Sequence, residues 1–282
     1  MASNNAIAPD KLFRLIGTPR CPIVIDVRSV AERDAIPFLV PASTFCDIDA
    51  VAEWASRYIG SDVVIVCNEG RAASQGVAAW LRHAGAASAE ILEGGFTAWR
   101  AAAMPTIRIA KLPKRGDGDR TLWVTRARPK IDRIACPWLI RRFIDRDAVI
   151  LFVAPADVEA VAERFGAAAF DVEGVFWSHR GETCTFDTIL NEFGLDTEPL
   201  RRLASIVRGA DTDQPNLAPE AAGLLAVSLG LSRLYSDDLE QLEAGMLIYD
   251  AFYRWSRDAT GETHDWPANA PVKPKASRRM PA

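Results

Sequence analysis

The sequence predicts an α/β domain with a parallel sheet and flanking helices, followed by an α+β domain that is mainly helical. The length of 282 residues suits two domains of ordinary size better than one. Short, continuous apolar runs alternate with helical patterns near the N-terminus, which is typical of parallel strands buried on both faces. From residue 185 to residue 257 the pattern is helical.

The first segment supplies the strands of the predicted parallel sheet. β-Branched runs predict strands over 23–27 and 62–67, and a third strand ends within 90–95. Residues 73–84 read as a helix with Val77, Trp80 and Leu81 on one face. This order of elements favours a sheet that is covered by helices on both sides.

The second segment begins with strands and ends with helices. We predict strands over 122–125 and 149–153, helices over 131–143 and 155–165, and a hairpin formed by 169–172 and 175–179 about Glu173-Gly174. Four helices follow, over 185–193, 197–208, 218–230 and 236–257.

Two stretches of the chain lack apolar periodicity. Residues 109–120 are charged and rich in glycine and proline, which is typical of an exposed linker. Residues 259–282 include several prolines and basic residues, and we predict that this tail is disordered.

Composition excludes several classes of protein. A net charge of -4 and a pI near 5.5 give no general attraction to nucleic acid or anionic membrane, so neither is an expected partner. The longest apolar stretch, 221–231, is too short to span a bilayer, and residues 1–17 contain no signal-peptide core, so we expect a cytoplasmic protein. The five cysteines form no CxxC pair, which argues against a disulfide framework or a zinc ribbon.

Cys67 is the predicted nucleophile. It follows a buried strand directly and precedes a helix, so the amides of the connecting loop and the positive end of the helix point toward it. Such an environment favours the thiolate, which is the reactive form of cysteine. The loop residues are Asn68, Glu69, Gly70, Arg71 and Ala72.

Residues 8–108 resemble the rhodanese family of sulfurtransferases. The resemblance rests on an ordered set of motifs: Asp26-Val-Arg28 with Glu32, the loop Cys67-Asn-Glu-Gly-Arg-Ala, Leu81-Arg-His-Ala-Gly85, and Glu93-Gly-Gly-Phe-Thr-Ala-Trp99. The chain departs from the family over 34–42 and at Ala72, which leaves the identity of the sulfur donor open.

The resemblance implies a rhodanese-like fold and a two-step sulfur transfer. Cys67 would take sulfur from a donor such as thiosulfate, hold it as a persulfide among the amides of residues 68–72, and pass it to a thiol or other acceptor. No cofactor is required for this transfer. We expect Asp26 and Arg28 to support the loop rather than to take part in the reaction.

The second segment resembles the C-terminal domain of the chromate resistance protein family ChrB, and we assign it to 121–258. The motifs are Ala127-Arg-Pro-Lys-Ile-Asp-Arg-Ile-Ala-Cys-Pro-Trp, Phe170-Asp-Val, His179-Arg-Gly-Glu-Thr-Cys-Thr-Phe-Asp, Arg208-Gly-Ala-Asp-Thr and Ala222-Gly-Leu-Leu-Ala-Val-Ser-Leu-Gly. The family name implies a link to chromate resistance but does not imply a specific reaction.

Two groups of residues suggest a site in this second domain. A basic cluster suits either an oxyanion such as chromate or a solvated surface, and it comprises Arg126, Arg128, Lys130 and Arg133. A histidine and carboxylates suit either a divalent or transition metal or separate structural roles, and they are Asp132, His179, Glu182 and Asp211.

The leading hypothesis is a sulfurtransferase linked to chromate or oxyanion stress resistance. Its partners would be a small sulfur donor, a thiol acceptor and, in the second domain, an oxyanion or metal. The alternative is a rhodanese-like binding module fused to a metal- or oxyanion-sensing regulatory domain.

Overall fold

A five-stranded parallel sheet forms the centre of the first domain. The computed structural model describes residues 5–116 and 120–262. The sheet has the order β1-β6-β5-β2-β4, and its strands are β1 (Ala6–Ile7), β2 (Ile23–Asp26), β4 (Ser43–Phe45), β5 (Asp62–Val66) and β6 (Ser88–Leu92). Asp26 pairs with Val66 and Ile65 with Ile91, so the central strands are in parallel register. The predicted α/β fold with a parallel sheet is confirmed.

Helices cover both faces of this sheet, which explains why its strands read as continuous apolar runs. They are α1 (Pro9–Leu15), α2 (Val30–Ala35), α3 (Val51–Trp54), α4 (Ala72–Ala84) and α5 (Gly95–Ala101). Val24 and Val64 pack on the side of α1 and α5, whereas Ile25 and Ile65 pack with α3 and α4 on the other side. A short antiparallel pair, β3 (Phe38–Leu39) and β7 (Ile107–Arg108), closes the domain.

The second domain begins with a three-stranded parallel sheet of order β10-β8-β9. Its strands are β8 (Leu122–Arg126), β9 (Val149–Val153) and β10 (Ala168–Ala169). Helix α6 (Asp132–Leu139) joins β8 to β9 and continues as a π-helical segment, Ile140–Ile144. Helix α7 (Val158–Phe165) joins β9 to β10.

The predicted hairpin about Glu173-Gly174 is wrong. Strand β10 pairs in parallel with β8, and a single isolated bridge connects Phe170 to Trp177 within the described part of this region. The physical reason is the backbone of Asp171, whose φ of 51° is left-handed and ends the extended conformation.

The remaining helices match the predicted order. They are α8 (Thr185–Phe193), α9 (Glu198–Asp211), α10 (Ala221–Leu234) and α11 (Asp238–Asp258). None of the helices within 5–116 and 120–262 is long and apolar enough to cross a membrane.

One hydrophobic core extends across both domains. Ile16 and Trp99 belong to the same buried cluster as Phe143 and Tyr253. The amide of Ala42 donates to the carbonyl of Phe143 at 2.6 Å. The two sequence segments are therefore packed against each other through buried apolar surface.

The end of the first segment and the start of the predicted linker also contact the second domain. Lys111 Nζ lies 2.6 Å from Glu192 Oε2, and Arg108 donates to the carbonyls of Asn191 and Glu192 at 2.8 and 2.9 Å. Residues 117–119 of this predicted linker, and 263–282 of the predicted disordered tail, lie outside the described residues.

Candidate functional site

Cys67 lies directly after β5, where the chain turns into the loop that leads to α4. The amide of Gly70 donates to its Sγ at 3.2 Å, and Sγ also lies 3.2 Å from the hydroxyl of Ser74 in the first turn of α4. The sulfur therefore sits between the loop backbone and the N-terminal end of a helix of 13 residues. Ser74 was not among the predicted site residues, although its place in the first turn of the predicted helix was a usable signal.

The hydrogen bonds of the loop oppose the effect of burial on Cys67. Burial by itself raises the pKa of this thiol, but the Ser74 side chain and the amides of Arg71, Ser74 and Glu69 lower it by more. The net result is a pKa below the usual value for cysteine. Local hydrogen bonds thus make the thiolate easier to form than in an ordinary cysteine.

The predicted loop residues take different positions. Asn68 and Gly70 are half-buried, whereas Glu69, Arg71 and Ala72 are exposed. The ion pair between Arg71 and Glu69 measures 3.7 Å, with both side chains in solvent. Such a pair contributes ~0–1 kcal/mol, so it does not hold the Arg71 guanidinium in one position.

Two glycines allow the loop to pack against the start of α5. The amides of Phe96 and Thr97 donate to the carbonyls of Cys67 and Asn68 at 2.9 and 3.0 Å. A Cβ on Gly95, whose φ is 61°, would lie 2.5 Å from the Gly70 nitrogen and against the Cys67 carbonyl oxygen. Glycine is therefore needed at both 70 and 95, where the two backbones come into close contact beneath Cys67.

Asp26 and Arg28 form a buried ion pair behind the same loop. The Asp26 carboxylate accepts from the Arg28 amide, Nε and Nη2 at 2.7–3.1 Å, and both side chains are fully buried. Arg28 also donates to the Phe38 carbonyl and lies 3.8 Å above the Phe96 ring. The Phe96 amide in turn donates to the Cys67 carbonyl, so the Asp26–Arg28 ion pair is connected to the loop through Phe96.

A second cluster lies between α6, α9 and the segment that follows β10. His179 Nε2 lies 3.2 Å from Asp211 Oδ2, 3.3 Å from Asp171 Oδ1 and 3.5 Å from Asp132 Oδ2. Asp132 is the first residue of α6 and Asp211 is the last residue of α9. One ligand atom from each of Asp132, His179 and Asp211 lies within 4.8 Å of the others.

Burial and mutual repulsion dominate the electrostatics of this cluster. Burial, and then the neighbouring carboxylates of Asp211 and Asp171, raise the pKa of Asp132 well above its usual value. Burial and Asp171 also raise the pKa of Asp211. The hydrogen bond to Asp171 raises the pKa of His179 to about 9, and Asp132 and Asp211 add to this effect.

Asp171 was missed among the predicted site residues, although it belongs to the Phe170-Asp-Val motif. Its Oδ1 accepts from the Thr185 hydroxyl at 3.1 Å, and its Oδ2 lies 3.2 and 3.3 Å from Arg126 and Arg133. Burial raises its pKa, but His179 and the two arginines lower it by more, so this carboxyl is favoured as the anion.

The other predicted residues of the second domain lie elsewhere. Arg128 donates to the carbonyl of Ser232 at 2.6 Å, and its amide donates to Asp238. Lys130 is exposed. The basic cluster is therefore divided between the Asp171 carboxylate and the α10–α11 turn. Glu182 is exposed and does not belong to the three-residue group at His179.

Both halves of the chain match models of known families. Residues 8–102 match the Rhodanese-like domain, and residues 123–256 match the family described as ChrB, C-terminal domain. The protein named ChrB from Cupriavidus metallidurans is 38% identical over 133 residues. That match covers 46% of this chain and 39% of the relative, so the chain spans well under half of the relative's length.

Solved structures also resemble parts of the chain, at low overall scores. The Rhodanese-like domain protein from Staphylococcus aureus is 24% identical, covers 34% of this chain and 90% of its own, and has a TM-score of 0.30. SseA from Escherichia coli, described under 3-mercaptopyruvate sulfotransferases, is 12% identical, with 61% and 90% coverage and a TM-score of 0.32. On the two family matches, the chain joins a rhodanese-like domain to a ChrB C-terminal domain.

Proposed function

We propose that this protein is a sulfurtransferase that carries the transferred sulfur as a persulfide on Cys67. The observation that carries the proposal is the position of Sγ, which receives the Gly70 amide and contacts Ser74 at the junction of β5 and α4. A thiol so placed is activated by an uncharged donor, the Gly70 amide.

The first half-reaction transfers one sulfur atom to the protein. With thiosulfate as donor, the Cys67 thiolate attacks the outer sulfur, the S–S bond of the donor breaks, and sulfite leaves with the bonding electron pair. The product is a Cys67 persulfide. The loop amides would stabilise negative charge on its outer sulfur without moving, because they are fixed before the reaction begins.

The second half-reaction restores the enzyme. An acceptor thiolate attacks the outer sulfur, a new S–S bond forms on the acceptor, and the bond to Cys67 breaks with its electrons returning to Cys67. Dividing the transfer into two displacements is covalent catalysis. Arg71 is 82% exposed in its side chain, which suits recruitment of an anionic donor at the mouth of the loop.

We place this activity in chromate or oxyanion stress resistance because of the attached domain. The second domain matches the ChrB C-terminal family over nearly its whole length. In a host that lacks its own copy, expression of the chain would raise the chromate concentration that permits growth. Cys67→Ser would remove that gain if sulfur transfer is the protective activity, and an unchanged gain would separate the two functions.

Mass spectrometry of the intact chain tests persulfide formation. After incubation with thiosulfate and removal of the excess, the protein should gain the mass of one sulfur atom, and added cyanide or thiol should remove it. Cys67→Ser should show no gain.

Cys21→Ser is the matched control for this measurement. Burial raises the pKa of Cys21 to about 11, so this thiol stays protonated and its loss should leave the gain unchanged. No sulfur uptake from thiosulfate, mercaptopyruvate or polysulfide would contradict the proposal and favour a rhodanese-like binding module.

A further inference from the structure

We propose that Asp132, Asp211 and His179 bind one divalent transition-metal ion in the second domain. This site is separate from Cys67 and does not depend on sulfur transfer. The three residues come from the start of α6, from the end of α9, and from the segment before α8. Asp132 and Asp211 are 79 positions apart in the sequence, so only the packing of these elements brings their carboxylates together.

The donor atoms already converge on one point. Asp132 Oδ2 and Asp211 Oδ2 lie 3.5 and 3.2 Å from His179 Nε2. Two carboxylate oxygens and one imidazole nitrogen form a mixed set that suits ions such as Mn²⁺ and Fe²⁺, and also Zn²⁺. Binding would replace the proton on Nε2, because a coordinating imidazole is neutral at the nitrogen it offers.

A second observation concerns the other oxygen of Asp132. The side chain is fully buried, and Oδ1 has no hydrogen-bond partner within residues 5–116 and 120–262. Its companion Oδ2 accepts from the Thr185 amide at 2.6 Å, so the carboxylate is held in place with one oxygen unsatisfied. An unpaired buried oxygen of this kind is costly, and a cation at the carboxylate would offset the cost.

The positions of the positively charged side chains also favour a cation between Asp132 and Asp211. Arg126 and Arg133 both pair with Asp171, whose two oxygens are thereby satisfied together with Thr185 and His179. Among the described residues, neither Asp132 nor Asp211 forms an ion pair with a lysine or arginine. Asp132 and Asp211 thus share one cationic partner, His179, whereas Asp171 has two arginines of its own.

The site is open on one side. His179 is 39% exposed in its side chain and Asp211 is 19% exposed, whereas Asp132 forms the closed floor. An ion held there would keep coordination positions toward solvent, as catalytic and ligand-exchanging sites do. We do not assign Asp171 as a ligand, because its charge is shared with Arg126 and Arg133, and its 3.3 Å contact with Nε2 would be given up when the ion replaces the proton.

Titration of the full chain with Mn²⁺ tests the proposal. The protein is first treated with a chelator and dialysed, and binding is followed by calorimetry and by loss of the free Mn²⁺ signal in electron paramagnetic resonance. Mn²⁺ is used because it prefers oxygen and imidazole ligands and does not compete for thiolates such as Cys67. We expect one bound ion per chain, displaced by Zn²⁺.

Substitutions then identify the ligands. His179→Ala and Asp211→Asn should each weaken Mn²⁺ binding by at least the ~10–100-fold that loss of an outer-shell contact costs. Both side chains are partly exposed, so these variants should fold, which circular dichroism would verify. Asp132→Asn, at the buried position, serves as a third variant. Its Mn²⁺ affinity is compared with that of wild type only if it unfolds in the same cooperative transition.

Glu182→Gln and His83→Ala are the matched controls, since both residues are charged or titratable and lie outside the group at His179. They should leave Mn²⁺ affinity unchanged. The proposal is overturned if the wild-type chain binds no stoichiometric Mn²⁺ or Zn²⁺, or if the folded His179→Ala and Asp211→Asn variants bind as tightly as wild type. Persulfide formation at Cys67, measured in parallel, would be unaffected by either result.

Discussion

Replacing Gly95 with alanine should disrupt the loop that carries Cys67. The substitution adds one methyl group at a position where φ is 61° and the nearest atoms belong to the backbone. The Gly70 nitrogen would lie 2.5 Å from the new carbon and the Asn68 carbonyl carbon 2.7 Å from it. Backbone cannot move aside as the end of a flexible side chain can, so the loop itself must shift.

The expected loss of stability in Gly95→Ala has two components. The left-handed conformation costs ~1–2 kcal/mol for a residue with a Cβ, and overpacking adds ~1–3 kcal/mol. We expect Gly95→Ala to lower the free energy of unfolding by ~2–5 kcal/mol, a large share of the ~5–15 kcal/mol typical of a domain. Displacement of the Gly70 amide from Sγ should slow sulfur uptake by ~10–100-fold.

Gly60→Ala separates the cost of the left-handed conformation from the cost of overpacking. Gly60 has a φ of 72°, and a Cβ added there would meet nothing within 4 Å, so this variant reports the conformational cost alone. Urea unfolding and the rate of sulfur uptake from thiosulfate would be measured for both variants. If Gly95→Ala were no less stable than Gly60→Ala and took up sulfur at the wild-type rate, the proposed role of the contact between Gly95 and Gly70 would be refuted.

Three further perturbations test other parts of the structure. Ser74→Ala removes a contact that lowers the pKa of Cys67, so the pH midpoint for alkylation by iodoacetamide should move upward, because less thiolate is present at a given pH. The control is Ser205→Ala in α9, where the hydroxyl donates to the Arg201 carbonyl, and it should leave the midpoint unchanged. Asp26→Ala leaves the Arg28 guanidinium buried and unpaired and should cost ~3–5 kcal/mol in urea unfolding, whereas the exposed Asp34→Ala should change stability by ~0.5 kcal/mol or less. Phe143→Ala removes a ring from the core shared by the domains and should lower the stability of the whole chain by ~3–5 kcal/mol in a single calorimetric transition; two separate transitions, with only one shifted, would contradict a shared core.

The alternation of short apolar runs and helical patterns was sufficient to predict the first domain. Strands β2 and β5 are buried on both faces, so nearly every residue in them must be apolar, and this pattern is visible without knowing their neighbours. Cys67 was predictable for a related reason. The hydrogen bonds of its sulfur are made with residues within seven positions of it, namely Gly70 and Ser74.

The region around Asp171 could not be predicted in the same way. Residues 169–179 alternate like a hairpin, but Asp171 adopts a left-handed backbone because its carboxylate is held by Arg126, Arg133, Thr185 and His179. The two arginines come from a distant part of the chain, at the end of β8 and in α6. Local propensity therefore favoured one structure, and long-range ion pairs stabilised another.

The sequence by itself determined the order of the two family matches, the parallel sheet and the place of Cys67 between a buried strand and a helix, since each depends on contacts between residues close in the chain or on periodicity. Tertiary structure alone decided which acidic residues surround His179. It brought in Asp171, left Glu182 in solvent, and joined both domains through one core. The reason is that a cluster of charged side chains is defined by the packing of several elements, and no spacing within one element encodes that packing.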